Sequence, residues 1–181
     1  MSQEIAKIGS KLIHSGMKIF THCYSKTVIE ILLQAKKEKK SFIVYTTETR
    51  PKLLGRRTAK ALTAKKIPVI HMVDNAGPIA IKECDLFLFG AESITEKKEI
   101  LNKIGTNILL ETAKKYKIPS YCATHTNKLN KTPNPQKPTD VWKNPPKLVK
   151  IFNPGFEILN KKLITGYITE KYSLKLFRKA L

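Results

Sequence analysis

The sequence lacks any apolar run long enough to form a membrane-spanning helix. Such a helix needs about 20 consecutive apolar residues, whereas the longest apolar runs here are "FIVY" and "LFLFG". The first residues, "MSQEIAKIGSKLI", also lack the apolar region and the small-residue cleavage site of a signal peptide. The sequence therefore predicts a cytoplasmic protein without a membrane partner.

Cysteine is scarce, and its spacing excludes two common uses. The three cysteines, Cys23, Cys84 and Cys122, are an odd number and do not follow the spacing of zinc-binding motifs. Neither a disulfide framework nor a zinc site is therefore indicated. We expect neither a metal ion nor a cofactor.

Aromatic and acidic residues are also few. Aromatic residues make up 8% of the sequence, and no nucleic-acid-binding motif is present. Because single strands bind largely by stacking on aromatic side chains, this argues against a nucleic-acid partner. Lys and Arg number 34 against 14 Asp and Glu, for a formal net charge of +20. That excess indicates anionic partners, but scattered lysines on solvated helix surfaces explain it equally well, so both interpretations stay open.

Helical and strand patterns alternate along the chain. Val28, Ile31, Leu32 and Ala35 recur at helical spacing after Ser25. Further helices are predicted at residues 3–15, 52–66, in "NAGPIAI" and at 102–117. Buried strands are predicted in "MKIFTHC", "SFIVYT", "IPVIHMV", "DLFLFG" and "IPSYCAT", with strand-like "LVKIFN" and "LITGYIT" after them. This order predicts a single α/β domain over residues 1–181, with a parallel sheet covered by helices on both faces.

One segment, residues 126–147, breaks the alternation. Five of its residues are proline, and it holds the only tryptophan of the sequence. Because strand-like sequence resumes after it, we predict a long loop over the end of the sheet rather than a linker. Long loops in compact domains are often functional or disordered.

Polar and reactive side chains follow five predicted strands, in "THCYS", "TTETRP", "DNAG", "GAES" and "ATHTNK". Ligands of doubly wound sheets bind beyond the carboxyl ends of the strands, so we expect the site there. Cys23 precedes a helix N-terminus, where the helix dipole and nearby cations favour a thiolate. A buried, inert role for Cys23 stays open. We interpret His22 as structural.

Two segments near these strand ends are suited to phosphate. Arg50, Arg56 and Arg57 carry planar guanidinium groups that match phosphate geometry, and we expect Glu48 to orient Arg50. The segment "NKIGT", at a predicted helix start, offers an amide, a lysine and unpaired backbone N–H groups. The alternative for this second segment is an ordinary helix start capped by its asparagine.

The ordered motifs resemble one superfamily from about residue 16 to residue 170. They are "FTHCYSKTVI", "YTTETRPKLLGRRTAKAL", "IPVIHMVDNAG", "DLFLFGAESI", "NKIGTN", "IFNPGFEI" and "ITGYITE". The superfamily contains the alpha, beta and delta regulatory subunits of translation initiation factor 2B and their archaeal relatives. It also contains the isomerases of ribose-1,5-bisphosphate and of 5-methylthioribose-1-phosphate. The resemblance implies a Rossmann-like α/β domain that assembles into dimers or higher oligomers.

The resemblance also implies roles for individual residues. In the isomerases, a general acid protonates the ring oxygen of a sugar 1-phosphate, and a second group moves a proton between C1 and C2. The resemblance implies that Cys23 and Glu92 share these roles, and that Asn102, Lys103 and Lys128 contact the ligand. Glu92 stands where the isomerases carry Asp, and the "GAE" form resembles the initiation factor alpha subunit.

The family usually carries a helical N-terminal domain before the first strand. We expect this domain to be absent here, or to be supplied by a related chain.

The main expectation is a regulatory subunit of the initiation factor 2B alpha type, with a pocket for a phosphosugar or nucleotide phosphate. The alternative is a sugar-1-phosphate aldose–ketose isomerase, acting on ribose-1,5-bisphosphate. The expected partners are a phosphorylated small molecule and a homodimer or higher oligomer. Whether the protein is an enzyme stays open at this point.

Overall fold

The computed structural model describes residues 2–95, 97, 99–128 and 137–170. In chain order the helices and strands are α1 (Ser2–Ser10), β1 (Lys18–Thr21), α2 (Lys26–Lys37), β2 (Ile43–Thr47), α3 (Leu54–Thr63), β3 (Val69–Met72), α4 (Gly77–Ala80), β4 (Leu86–Phe89), β5 (Ser93–Ile94), β6 (Ile100–Lys103), α5 (Thr106–Lys115), β7 (Ser120–Ala123), β8 (Phe156–Ile158) and β9 (Gly166–Ile168). Short 3-10 turns lie at Asp74–Ala76, Ile81–Glu83, Thr126–Lys128, Pro138–Asp140 and Lys161–Leu163. None of the helices in these described ranges is both long enough and apolar enough to cross a bilayer.

The main sheet has six strands in the order β3-β2-β1-β4-β7-β9, and all of its pairings are parallel. The predicted α/β fold with a parallel sheet and helices is therefore confirmed. The strand order reverses between β1 and β4, because the chain first builds outward through β2 and β3 and then returns. Loops that leave neighbouring strands in opposite directions open a crevice at such a point.

Each face of the sheet carries its own hydrophobic core. On one face, Ile5 from α1, Ile31 and Leu32 from α2 and Leu62 from α3 pack against the sheet. On the other face, Leu109 from α5 packs with a separate set of buried residues that includes three phenylalanines, Phe20, Phe87 and Phe89. Because both faces are covered, the strands are apolar nearly throughout, as in β4, where every residue is buried.

Two local predictions were wrong. The helix predicted at 102–117 begins only at Thr106, and the residues before it form β6. That strand belongs to a second sheet of order β5-β6-β8, whose pairings are antiparallel and which the sequence did not predict. The strand expected at "LVKIFN" is also absent from the described residues 148–153, and β8 starts at Phe156.

The predicted loop at 126–147 lies in part outside the described residues. In its described part, the carboxylate of Asp140 lies 3.6 Å from the ammonium nitrogen of Lys52, which follows β2. In its described part, the segment therefore reaches the carboxyl end of the main sheet.

Candidate functional site

A cavity of about 560 Å³ opens at the carboxyl ends of β1, β4 and β7. The two small strands β6 and β8 form a further wall, and the first turns of α2 form another. The cavity is lined by His22, Cys23, Tyr24, Ser25, Lys26, Thr27, Glu30, Lys52, Leu54, Gly90, Ala91, Glu92, Asn102, Lys103, Ala123, Thr124, His125, Asn127, Lys128 and Phe156. Five of the seven residues predicted for the site, Cys23, Glu92, Asn102, Lys103 and Lys128, therefore lie on one cavity.

Cys23 is held at the cavity through its backbone. Its φ angle is 69°, in the left-handed region that non-glycine residues seldom occupy. Its N–H donates to the hydroxyl of Thr49 at 3.0 Å, and its carbonyl accepts from the hydroxyl of Thr58 at 2.7 Å. These two bonds from neighbouring segments stabilise a conformation that would otherwise be costly, and they fix the position of the thiol.

Thr49 is fixed in turn by Asp74. The carboxylate of Asp74 accepts the backbone N–H of Thr49 and that of Arg50, each at 2.7 Å. Thr49 itself has a positive φ of 60°. A chain of contacts thus runs from Asp74, after β3, through Thr49, after β2, to Cys23, after β1.

The surroundings of the Cys23 thiol favour its neutral form at physiological pH. Burial raises its pKa to about 11, and the nearby charges of Glu92 and Asp74 act in the same direction. The ammonium group of Lys103 opposes this but does not outweigh it. Of the two alternatives that the sequence left open for Cys23, burial favours the neutral thiol over the thiolate, because desolvation outweighs the positive groups nearby. A neutral thiol can donate a proton, which a thiolate cannot.

Lys103 and Glu92 lie close to this thiol. Lys103 is 5% exposed, and its ammonium nitrogen lies 5.0 Å from the centre of the Phe156 ring. Burial lowers its pKa, whereas its attraction to Cys23 and Glu92 acts to raise it. Glu92 is exposed at the cavity, and its backbone N–H donates to the carbonyl of Leu101 at 2.9 Å. This bond fixes the residue against β6, beside Lys103.

Besides Oε2 of Glu30, two buried polar groups on the cavity have no hydrogen-bond partner among the described residues. They are Nδ2 of Asn102 and the hydroxyl of Thr124, in residues that are 6% and 2% exposed. A buried donor without an acceptor costs about 1–3 kcal/mol. Such groups on a cavity indicate a ligand with oxygen atoms to accept from them.

Lys128 contributes a further cation to the cavity. Its ammonium group donates to the carbonyl of Ala91 at 2.9 Å, directly before Glu92. This bond attaches the 3-10 turn at 126–128 to the end of β4. With Lys26, Lys52 and Lys103, four lysines therefore line the cavity.

The expected phosphate site at the start of α5 is occupied by a protein carboxylate. Asn102 and Lys103 lie on β6 and not at the helix start, and the residue that precedes α5 is Gly105. The N–H of Asn107 donates to the Glu157 carboxylate at 2.8 Å. Asn102 and Lys103 therefore face the cavity from a strand, and the helix N-terminus is capped from β8.

His22 has the structural role expected for it. Its Nδ1 lies 2.7 Å from the hydroxyl of Thr47, and its Nε2 lies 3.0 Å from the carbonyl of Ile104. Since a carbonyl only accepts, Nε2 carries the proton and Nδ1 accepts from Thr47. Burial lowers the pKa of the imidazole, which favours this neutral form. The ring joins the end of β2 to the turn that follows Lys103.

The structure does not bring the predicted arginines to the cavity. The exposed Arg56 lies 2.5 Å from the carboxylate of Glu48, which was expected to orient Arg50 instead. The guanidinium of Arg57 lies 4.3 Å from the centre of the Tyr24 ring. Arg50 is exposed, and its backbone N–H binds Asp74. Among the described residues, the cation that this segment contributes to the cavity is Lys52.

Several lining residues were not predicted from the sequence. Thr124 and His125 follow β7, in the segment "ATHTNK" that the sequence analysis placed at the site without assigning either residue a role. His125 also lies 3.8 Å from the carboxylate of Glu170, which follows β9. Glu30 lies on α2, and no sequence motif marks it. No cluster of three or more His, Cys, Asp or Glu side chains suited to a metal ion occurs in the described part of the chain.

Comparison with known proteins gives matches over nearly the whole chain. The model of the initiation factor 2 subunit family matches residues 1–175. The chain is 35% identical to a ribose 1,5-bisphosphate isomerase of Thermococcus kodakarensis, over 93% of this chain and 56% of the relative. It is 31% identical to a methylthioribose-1-phosphate isomerase of Natranaerobius thermophilus, over 92% of this chain and 55% of the relative.

Two further matches carry initiation factor names. One is a putative translation initiation factor eIF-2B subunit 2-like protein of Pyrococcus furiosus, 35% identical over 93% of this chain and 61% of the relative. The other is the crystal structure of the translation initiation factor eIF-2B of Pyrococcus horikoshii. It superposes with a TM-score of 0.82 at 32% identity, over 98% of this chain and 65% of that chain. The chain spans little more than half the length of the curated relatives it matches.

Proposed function

The chain belongs to the initiation factor 2 subunit family, and we propose that its cavity binds a sugar 1-phosphate and isomerises it to the ketose 1-phosphate. One observation carries the proposal. A neutral thiol, a carboxylate and buried cationic and amide groups meet on one cavity, at Cys23, Glu92, Lys103 and Asn102. Two relatives are named for substrates that both contain a ribose 1-phosphate unit, and these names support the proposal.

Cys23 and Glu92 have complementary properties for this reaction. With its 1-oxygen phosphorylated, the sugar ring opens only when its ring oxygen is protonated as the bond to C1 breaks. The Cys23 thiol, whose pKa is raised to about 11, holds a proton for this step at neutral pH. The exposed Glu92 supplies the base. Lys103 stabilises the thiolate that remains, since its charge acts to lower the thiol pKa.

The conversion moves protons and leaves the composition of the sugar unchanged. Glu92 removes the proton from C2 while the bond between C1 and the ring oxygen breaks, and the Cys23 thiol protonates that oxygen. The resulting enol phosphate takes a proton at C1 from the Glu92 carboxyl group. Its C2 hydroxyl then returns a proton to the Cys23 thiolate. The product is a C2 ketone with phosphate on C1, and both residues recover their starting state.

Lys103, Asn102, Thr124 and Lys128 are the proposed phosphate and sugar contacts. The amide of Asn102 and the hydroxyl of Thr124 lack partners among the described residues, so ligand oxygens would satisfy them. Ammonium groups in a partly buried cavity attract phosphate more strongly than exposed lysines do, because solvent screens them less.

Phosphorus NMR tests the proposal directly. The purified chain is incubated with ribose 1-phosphate and, separately, with ribose 1,5-bisphosphate, and the product phosphate resonances are followed. Because a general acid contributes about a hundredfold or more, Cys23→Ala should lower turnover by at least that factor. Cys84→Ala is the matched control, since Cys84 is buried outside the cavity, and its turnover should equal that of the wild type. Equal turnover in Cys23→Ala would refute the acid role.

A regulatory subunit of a translation initiation factor is the second candidate. The observation that favours it is a set of exposed apolar side chains in the described segment 137–155, where Leu148 is 95% and Phe152 is 89% exposed. Such side chains suit contact with another protein chain, either a second copy or a related subunit, in the cytoplasm. Saturable binding of a sugar phosphate without any product would favour this candidate. Sedimentation of the chain, alone and with candidate subunits, would identify the assembly.

A further inference from the structure

Glu30 is, with Glu92, one of the two acidic residues that line the cavity beside its four lysines. It lies in α2 and lines the cavity with Lys26 and Thr27, which occupy the same helix face four and three residues earlier. Its side chain is 26% exposed. The oxygen Oε2 is buried and has no hydrogen-bond partner among the described residues. The other oxygen, Oε1, lies 3.9 Å from the ammonium nitrogen of Lys26, an ion pair on the exposed side.

A buried carboxylate oxygen without a donor is costly, and a ligand can remove that cost. Any ligand group next to Oε2 must donate a hydrogen bond, because an ionised carboxylate only accepts. A sugar hydroxyl can donate. A phosphate group is an acceptor with negative charge at neutral pH, so it would both leave Oε2 unpaired and be repelled by it.

Glu30 lies further along α2 than the helix start, which is the end next to Cys23. Cys23 lies just before the helix, and the helix begins at Lys26. Glu30 is four residues beyond Lys26, so at about 1.5 Å of rise per residue it lies about 6 Å from the start of the helix along its axis. A sugar whose C1 and C2 lie at Cys23 can therefore present its other end to Glu30.

We propose that Glu30 selects a sugar monophosphate, because it accepts a hydrogen bond from a free hydroxyl at the end of the sugar remote from the 1-phosphate and disfavours a second phosphate there. This inference rests on the proposed function of the cavity. It goes beyond that function by assigning the substrate class: an aldose 1-phosphate with an unphosphorylated terminal hydroxyl.

The experiment compares kcat/KM for ribose 1-phosphate and for ribose 1,5-bisphosphate, in the wild type and in Glu30→Gln. A hydrogen bond to a charged group accounts for roughly a tenfold to hundredfold effect. The wild type should prefer the monophosphate by at least about tenfold. Glu30→Gln should lower kcat/KM for the monophosphate and raise it for the bisphosphate, so that the ratio falls by roughly a hundredfold.

Glu111→Gln is the matched control. Glu111 is an exposed helical glutamate on α5 that pairs with Asn107 four residues earlier, and it does not line the cavity. The substitution removes the same charge, and the ratio of the two kcat/KM values should stay at the wild-type value. Glu30→Ala serves as a second variant, and a thermal melt checks that each variant folds.

The outcomes distinguish a failure of the inference about Glu30 from a failure of the proposed isomerase function. A bisphosphate preference in the wild type, or a ratio unchanged in both Glu30 variants, overturns the inference and leaves the isomerase proposal standing. If both sugars bind without turnover, the ratio of their dissociation constants is measured by calorimetry and judged by the same criteria. If neither sugar binds, the proposed function and the inference are both wrong.

Discussion

Replacing Asp74 with asparagine should displace the thiol of Cys23, because Asp74 holds Thr49 and Thr49 in turn binds the backbone of Cys23. The Asp74 carboxylate accepts two backbone N–H groups at 2.7 Å each. Asparagine keeps one carbonyl acceptor, and its amide group then faces the second N–H, where it cannot accept. The variant thus loses one charge-assisted hydrogen bond, which contributes about 1.5–3 kcal/mol. We expect the free energy of unfolding to fall by about that amount.

The assay has two parts. Urea denaturation gives the change in unfolding free energy, and alkylation of Cys23, followed by mass spectrometry, reports on the thiol. Without its full support, Thr49 cannot hold its positive φ and its bond to the Cys23 N–H as firmly. We therefore expect Cys23 to be alkylated several times faster in Asp74→Asn, and any turnover of sugar phosphate to fall with it.

Asp85→Asn is the control for the loss of an aspartate charge. Asp85 accepts one backbone N–H, that of Lys18 at 2.8 Å, at the opposite end of β1 from the cavity. Because one carbonyl oxygen can keep that single bond, we expect a loss below about 1 kcal/mol and unchanged alkylation of Cys23. Equal stability losses in the two variants, with equal alkylation rates, would refute the proposed link from Asp74 to Cys23.

Three further predictions follow from single contacts. Because burial raises the pKa of Cys23 to about 11, its alkylation at pH 8 should be much slower than that of an exposed thiol and should increase up to about pH 11. Gly55→Ala should destabilise the fold by about 3 kcal/mol, measured by urea denaturation, because an added Cβ would lie 1.6 Å from the carbonyl oxygen of Thr47. Hydrogen bonds from Lys40, Gln34 and Ser10 lower the pKa of Glu38 to about 2, so this carboxylate stabilises the fold above its ordinary pKa of 4.5 and loses that effect as the pH falls toward 2. Thermal melts should show Glu38→Gln less stable than the wild type at pH 6 and equal to it near pH 2.

Each of these three predictions has a clear contrary result. Rapid alkylation of Cys23 at pH 7 would indicate a thiolate, one of the two alternatives that the sequence left open. A Gly55→Ala variant of wild-type stability would mean that α3 is free to move from β2. A stability difference for Glu38→Gln that stays constant from pH 6 to pH 2 would show that the Glu38 charge is not its source.

Much of the main sheet could be predicted because each of its strands is a local apolar run. The runs that precede Cys23, Glu48 and Thr124 correspond to β1, β2 and β7. The start of α2 was also predictable from local chemistry, since the hydroxyl of Ser25 accepts from the N–H of Val28 at 3.4 Å. The second sheet was not predictable, because β5 has only two residues and is too short to show a period. The last two residues of β6, Asn102 and Lys103, are polar and fit a helix start equally well.

The amino-acid sequence by itself determined the parallel α/β architecture and the grouping of polar residues at strand ends. Both depend on local patterns, of apolar runs and of the residues that follow them. Only the tertiary structure decided the protonation of Cys23 and which side chains meet at the cavity. Burial, which depends on every neighbouring segment, favours the neutral thiol of Cys23 over the thiolate. Glu48 pairs with Arg56 rather than with Arg50, and Glu30 lies on the cavity. Both facts likewise follow from how the helices pack against the sheet.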